Sequence, residues 1–229
     1  MEVGGVAEPK SSTLVDGADP VHLKGPPDRY VGRGGLKLEG ALAAFAIEVR
    51  DRRAVDVGAS TGGFTDCLLQ HGAASVAAVD VGYGQLDWRL REDARVDVFE
   101  RTNIRTAETG TIGAPFDVVV ADLSFISLRT VAAQLASLGS EDTDWIVLVK
   151  PQFEVGKEKV PRGGVVKDRG DHRDAILGVV GTFVGEGLAP VGLIASPITG
   201  AEGNREFLLW MRRGSTVVTD EMIEKVVNR

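Results

Sequence analysis

The chain has 229 residues, more than one typical domain needs and fewer than two full ones take, and 43% of them are hydrophobic, enough for a sizeable core. Its 26 basic residues against 33 acidic ones leave a net charge of -7, which argues against a whole-surface electrostatic grip on nucleic acid but leaves room for a local basic patch. One cysteine, Cys67, excludes a disulfide framework and a cysteine-based metal site, and His22, His71 and His172 stand too far apart to form a ligand motif, so no metal is expected.

Residues 1–30 read as short extended pieces and turns. Val3, Val6, Leu14-Val15, Val21 and Leu23 are separated by Gly, Pro, Asp and Ser, too little to bury a core alone, and Gly25-Pro26-Pro27-Asp28 reads as a linker. The spacing of Leu36, Leu38, Leu42, Phe45 and Ile47 predicts a helix over 35–46. Ala54–Gly58 is a short strand ending in a Gly turn, Phe64–His71 a helix capped by Gly72, and Ser75–Val81 the next strand. A helix is expected over Gln85–Asp93, strands over Val96–Phe99 and Phe116–Ala121, a helix over Thr130–Leu138 and an apolar strand over Trp145–Val149. A helix near His172–Gly185, strands near Pro190–Ser196 and Glu206–Arg212, and a short helix over Met222–Val227 complete the chain. Strands alternating with helices specify an α/β fold, a mostly parallel sheet with helices on both faces.

The N-terminus, Met1-Glu2-Val3-Gly4-Gly5, lacks the basic-then-apolar pattern of a signal peptide, and no apolar run approaches the roughly 20 residues that span a bilayer. With a single cysteine, the expectation is a cytoplasmic protein with no membrane role. Nothing in the pattern specifies an oligomeric state.

Asp56-Val57-Gly58-Ala59-Ser60-Thr61-Gly62-Gly63-Phe64 sits between a strand and a helix. Glycines there allow a sharp turn and a close approach to a ligand, and the helix start offers free N–H groups. The spacing is not G-x-G-x-x-G, which weakens a nicotinamide reading. Asp80 lies near the end of the next strand, where a carboxylate can accept both ribose hydroxyls, so loop and acid together favour a nucleoside cofactor over a plain capped turn. Asp56 either braces the loop or faces the cationic end of that cofactor. Asn103 either reads an adenine edge through its donor–acceptor amide or serves as a turn residue.

Asp122 follows the apolar run Val118–Ala121 and Lys150 follows Val147–Val149, so two strand ends deliver an acid and a base to the crevice of an open α/β sheet. Lys37 lies on the first helix, and Glu206 begins the last strand after a Gly200–Asn204 turn. Such a set suits methyl transfer to a sugar hydroxyl. A 2′-OH is a poor nucleophile until its proton is removed or shared, a neutral lysine can take that proton, and carboxylates can orient the amines. The positive sulfonium of a methyl donor favours a negative or neutral pocket, and the transfer itself needs only in-line placement of oxygen, methyl and sulfur. Taken singly, the lysines read as surface charges, Asp122 as a turn cap and Glu206 as an edge-strand charge; their common placement around one crevice favours the site.

Seven blocks carry a resemblance: Tyr30–Leu38 (YVGRGGLKL), Asp56–Cys67 (DVGASTGGFTDC), Asp80–Leu86 (DVGYGQL), Ala121–Leu128 (ADLSFISL), Val149–Gly156 (VKPQFEVG), Gly163–Val166 (GGVV) and Gly203–Trp210 (GNREFLLW). From about Tyr30 to Arg212 the chain resembles the TlyA family, itself similar to the FtsJ-like RNA 2′-O-methyltransferases. The resemblance implies a Rossmann-like methyltransferase sheet of seven strands with the last antiparallel. It implies S-adenosylmethionine as cofactor, ribosomal RNA or ribosomal subunits as partner, and a cytidine ribose as acceptor. It implies a Lys-Asp-Lys-Glu tetrad at Lys37, Asp122, Lys150 and Glu206, with Lys150 nearest the proton. Gly58, Gly62, Gly63 and Asp80 carry over as cofactor contacts, and Asn103 with them; Asp56, Ser60, Thr61, Phe64 and Asp122 complete the expected cofactor set. Family members begin with an S4-like RNA-binding domain; residues 1–28 resemble only its tail plus a linker, leaving 29–229 as the methyltransferase domain. Basic candidates for RNA contact are Arg29, Arg33, Lys157, Lys159, Arg162, Lys167, Arg169 and Arg173, with the Lys157–Arg173 loop bordering either RNA or plain solvent. The family's association with haemolysis offers a membrane-lytic alternative, which the lack of a long amphipathic or spanning segment disfavours. A non-catalytic RNA-binding or assembly module is the third reading.

Overall fold

The computed structural model describes residues 28–214 and 217–228, together with 2–3, 6–7, 16, 18 and 21–22. Glu2–Val3 pairs antiparallel with both Val6–Ala7 and Val21–His22 in a small three-stranded sheet. Otherwise the expected S4-like tail and linker, residues 1–28, lie almost wholly outside the described residues.

The main sheet has seven strands: β1 (Arg53–Val57), β2 (Ser75–Val79), β3 (Val96–Phe99), β4 (Phe116–Ala121), β5 (Gly139–Val149), β6 (Leu188–Ala195) and β7 (Phe207–Arg213). Their order across the sheet is β3-β2-β1-β4-β5-β7-β6. From β3 to β5 every pairing is parallel, whereas β7 runs antiparallel to both β5 and β6. The chain order reverses between β1 and β4, which opens a crevice beyond their carboxyl ends.

The apolar runs sort by alternation into two layers. Val119, Ala121, Val147 and Leu209 face one core, which α4 (Ala132–Ser137), α6 (Arg169–Gly185) and α7 (Asp220–Asn228) complete. Val118, Val120, Ile146 and Leu208 face the other, closed by α1 (Gly34–Phe45), α2 (Gly63–Gln70) and α3 (Trp88–Arg91). Burial on both faces explains why β4 and the second half of β5 read as continuous hydrophobic runs. Trp145 is fully buried and donates from Nε1 to Leu135 O at 2.8 Å, so α4 is tied to β5 by packing and by a bond.

Several boundaries differ from expectation for local reasons. β2 stops at Val79 because the Asp80 side chain accepts from Gly82 N–H at 2.6 Å and turns the chain. The helix expected over Gln85–Asp93 shrinks to the single turn of α3, which starts where Asp87 accepts from Arg89 N–H. β5 begins at Gly139 rather than Trp145; its exposed residues Ser140–Asp142 carry no apolar signal. Glu206 precedes β7 instead of beginning it. Lys150 is followed at once by α5 (Pro151–Glu154), a one-turn helix with Pro at its first position that apolar periodicity cannot reveal.

Candidate active site

Loops leaving the carboxyl ends of β1 to β5 converge on one crevice. Its larger part is a cavity of about 350 Å³ lined by Gly58, Ser60, Asp80, Asn103 and Asp122, among others. A smaller cavity of about 170 Å³ shares Gly58, Ser60, Asp122 and Ser124 with it and adds Thr61, Gly63, Phe64 and Lys150.

Gly58 adopts φ +88°, and a Cβ there would lie 2.6 Å from the Asp122 carbonyl oxygen, so only glycine lets the β1 and β4 loops meet. Gly62 and Gly63 serve packing as well. A Cβ on Gly62 would strike Leu90 of α3 at 2.2 Å, and one on Gly63 would press on the backbone of Gly32, Gly34 and Gly35 at 3.0–3.2 Å. The start of α2 is thereby brought against the start of α1. Of these two, Gly63 lines the smaller cavity; Gly62 lines neither.

Asp80 is held by two backbone donors, Ser60 N–H to Oδ2 at 2.8 Å and Gly82 N–H to Oδ1 at 2.6 Å. Each oxygen keeps acceptor capacity beyond these bonds. Asn103 realises the turn reading, because Oδ1 accepts from Arg105 N–H at 3.1 Å, yet the residue also lines the larger cavity and its amide donors are not used in that bond. Asp56 realises the bracing one of its two readings. It is fully buried, lines neither cavity, and its Oδ2 accepts from Thr65 N–H at 2.9 Å and Thr65 Oγ1 at 2.7 Å, while Oδ1 has no partner. Burial pushes its carboxyl up to about 7, against the Thr65 bonds and with Asp122 and Asp80 adding repulsion.

The four expected catalytic residues form two ion pairs. Lys150 Nζ lies 2.5 Å from Asp122 Oδ1 and donates to Ser124 Oγ at 2.8 Å. The contact with Asp122 is one of charge; the aligned hydrogen bond goes to Ser124. Lys37 Nζ donates to Glu206 Oε2 at 2.6 Å, both side chains buried. Asp122, Ser124 and Lys150 line the smaller cavity; Lys37 and Glu206 line neither, but Lys37 lies one turn along α1 from Gly34, which does line it.

Two contributors escaped the sequence reading. Ser124 sits in the quoted block ADLSFISL, two residues from Asp122, but a serine in a loop carries no signal of its own. Glu154 is buried in α5 and accepts from Ser127 Oγ at 2.6 Å and Leu128 N–H at 2.7 Å, clasping the loop that holds Ser124. Burial raises its carboxyl above the ordinary range, its hydrogen bonds and Arg129 opposing. In the same loop Phe125 is 92% exposed at φ +64°, its ring 5.4 Å from that of Phe153. Among the described residues no helix is long and apolar enough to cross a membrane, and no group of three His, Cys, Asp or Glu side chains is placed to hold a metal.

Residues 30–213 match the family described as FtsJ-like methyltransferase. The chain is 49% identical over 213 residues to the 16S/23S rRNA (cytidine-2'-O)-methyltransferase TlyA of Mycobacterium tuberculosis, covering 93% of this chain and 80% of that one. A solved structure titled as a hemolysin from Streptococcus thermophilus superposes with a TM-score of 0.84 at 42% identity, covering 92% of this chain and 77% of that one. An S-adenosylmethionine-dependent methyltransferase from Mesorhizobium loti, 16% identical, superposes at 0.58 over 80% of this chain and 100% of that one, and shows the fold alone.

Proposed function

The chain belongs to the FtsJ-like methyltransferase family, in its TlyA branch, and from that premise we propose that it methylates a ribose 2′-hydroxyl of ribosomal RNA, at a cytidine, in the cytoplasm. The observation that carries the reading is the Lys150 amine, held between Asp122 and Ser124 on the wall of a crevice that also presents Asp80.

The residues fit S-adenosylmethionine. A cavity of about 350 Å³ lies within the range of small-molecule sites, roughly 300–1,000 Å³. It presents a carboxylate, Asp80, whose oxygens can accept ribose hydroxyls, beside a Gly58 turn that no side chain obstructs. Bound there, the cofactor supplies a methyl group activated on a sulfonium sulfur. Asp80 holds the ribose, Asn103 offers amide donors to the base, and Ser60, Thr61, Gly63 and Phe64 shape the loop. Once it has given up its own proton, the Lys150 amine would accept the proton of the 2′-hydroxyl as the oxygen attacks, with Asp122 and Ser124 fixing the direction of that amine. The buried Lys37–Glu206 pair ties α1 to the entry of β7 and so fixes the helix whose first turn borders the smaller cavity.

The test is transfer of label from S-adenosylmethionine to purified ribosomal subunits and to naked rRNA. Label at a ribose 2′-oxygen is expected, and Lys150→Ala is expected to lower the rate by about 10²-fold or more while leaving cofactor affinity nearly unchanged. Full activity in that variant removes the lysine from the mechanism.

A further inference from the structure

The segment after α5 differs in charge from the molecule around it. Over Lys157–Lys167 (KEKVPRGGVVK) four cations accompany one acid, Glu158, in a chain of net charge -7. Neighbouring cations are engaged. Lys159 pairs with Asp171 at 2.7 Å and Asp174 at 3.3 Å, Arg173 with Glu224 at 2.5 Å, and Arg129 with Glu154 at 3.5 Å. Arg205 donates to the carbonyls of Val226 and Val227 at 2.7 Å each. Lys157, Arg162 and Lys167 are exposed, and none of them forms an ion pair with a described residue.

The backbone that carries these cations is pinned. Asn204, 2% exposed, accepts from Val166 N–H at 3.0 Å through Oδ1 and donates to Gly164 O at 2.8 Å through Nδ2. The buried His172 ring reaches Val166 O through Nε2 at 2.9 Å, and Gly164 N–H closes a turn on Pro161 O at 2.8 Å. A hollow of about 410 Å³ lies against the segment, lined by Pro161, Gly163, Val165 and the start of α6. The result is an arch, anchored at one end by the strand end that carries Lys150 and clamped near the other by the turn that precedes Glu206. A loop needing only solvation has no use for two buried side chains spent on its main chain. Cations that must meet a multivalent anion do, because ordering them beforehand removes that cost from binding.

We propose that Lys157–Lys167 is a preformed contact for RNA backbone phosphates, with Lys157, Arg162 and Lys167 as the cations and Asn204 as the residue that positions them. The inference rests on the RNA-methyltransferase reading and names how that site holds its substrate. Neutralising phosphates releases counterions, so each contact contributes about 0.7–0.9 to the slope of log affinity against log salt.

The experiment compares wild type, the triple variant Lys157→Gln/Arg162→Gln/Lys167→Gln, Asn204→Ala and Asn204→Asp in steady-state methylation of rRNA and in RNA binding across a salt series. Calorimetric titration with S-adenosylhomocysteine confirms that each variant is folded. The triple variant is expected to raise KM for RNA at least tenfold, flatten the salt slope by about 2 and leave kcat within about twofold. Asn204→Ala keeps every cation, so it is expected to raise KM with the slope unchanged; Asn204→Asp, which retains the acceptor for Val166 but loses the donor to Gly164, is expected to fall between. Wild-type KM and slope in the triple variant overturn the phosphate contact, and wild-type KM in both Asn204 variants overturns the positioning role. Absence of transfer and of RNA binding in the wild-type protein overturns the methyltransferase reading itself, and this inference with it.

Discussion

Asp56 is held where its charge is hardest to keep. One of its oxygens takes both Thr65 donors, the other has no partner, and burial lifts the carboxyl from 3.8 to about 7. Between those two values the folded state binds the proton that the unfolded state has already released. Stability therefore falls as pH rises from about 4 to about 7, and the penalty is fully present above that range. Three pH units correspond to a few kcal/mol, on the order of 1.4 kcal/mol per unit. Asn at this position keeps an acceptor for Thr65 and does not titrate. Melting curves are expected to show wild type losing stability over pH 4–7 relative to Asp56→Asn, the two being closest at low pH. Parallel curves would show that the carboxyl is not penalised by burial. At this scale the sequence left two readings of Asp56 open, since a buried brace and a cofactor-facing acid occupy the same place after a strand. Three-dimensional partners separate them; spacing cannot. Asp122 and Lys150 were legible as neighbours because both end adjacent parallel strands, whereas the resemblance placed Lys37 and Glu206, 169 residues apart, in one tetrad and only the structure makes them a pair.

Elements whose residues are buried on both faces were the readable ones. The runs Val118–Ala121 and Trp145–Val149 announce strands because every side chain in them is apolar and buried. The polar start of β5 and the four-residue α5 carry no periodicity and were missed, yet α5 supplies Glu154, which joins two elements of the site. Its carboxylate accepts from the Ser127 hydroxyl and the Leu128 N–H, and Arg129 donates in turn to Glu154 O at 2.8 Å. Glu154→Ala leaves the Leu128 N–H buried and unpaired, a loss of about 1–3 kcal/mol. The melting temperature is expected to fall by several degrees, with Glu154→Gln falling less because its amide oxygen can still accept. Because the loop it clasps bears Ser124, kcat should drop with stability in the Ala variant. Unchanged melting in Glu154→Ala would mean that water replaces the carboxylate and that the clasp is dispensable.

No single element contains the crevice; its two cavities together are assembled from the ends of five strands, and the chain order that reverses at β1 and β4 is what brings them together. A ligand that touches several of those ends at once binds the folded state and not the unfolded one, so it must raise stability by mass action. At a concentration one hundred times its dissociation constant the gain is about 2.7 kcal/mol, and for a chain of this length each kcal/mol moves the midpoint by roughly 2–4 °C. S-adenosylhomocysteine is therefore expected to raise the melting temperature by about 5–10 °C. The readout at Asp80 is that shift and not the melting temperature without ligand, because Asp80 also holds the Ser60 and Gly82 amides. Asp80→Asn retains an oxygen for one of those amides but replaces the other acceptor with a donor, so the ligand-induced shift is expected to shrink to a small fraction of the wild-type value. A full shift in Asp80→Asn would move the cofactor's ribose away from β2, and with it the assignment of the larger cavity.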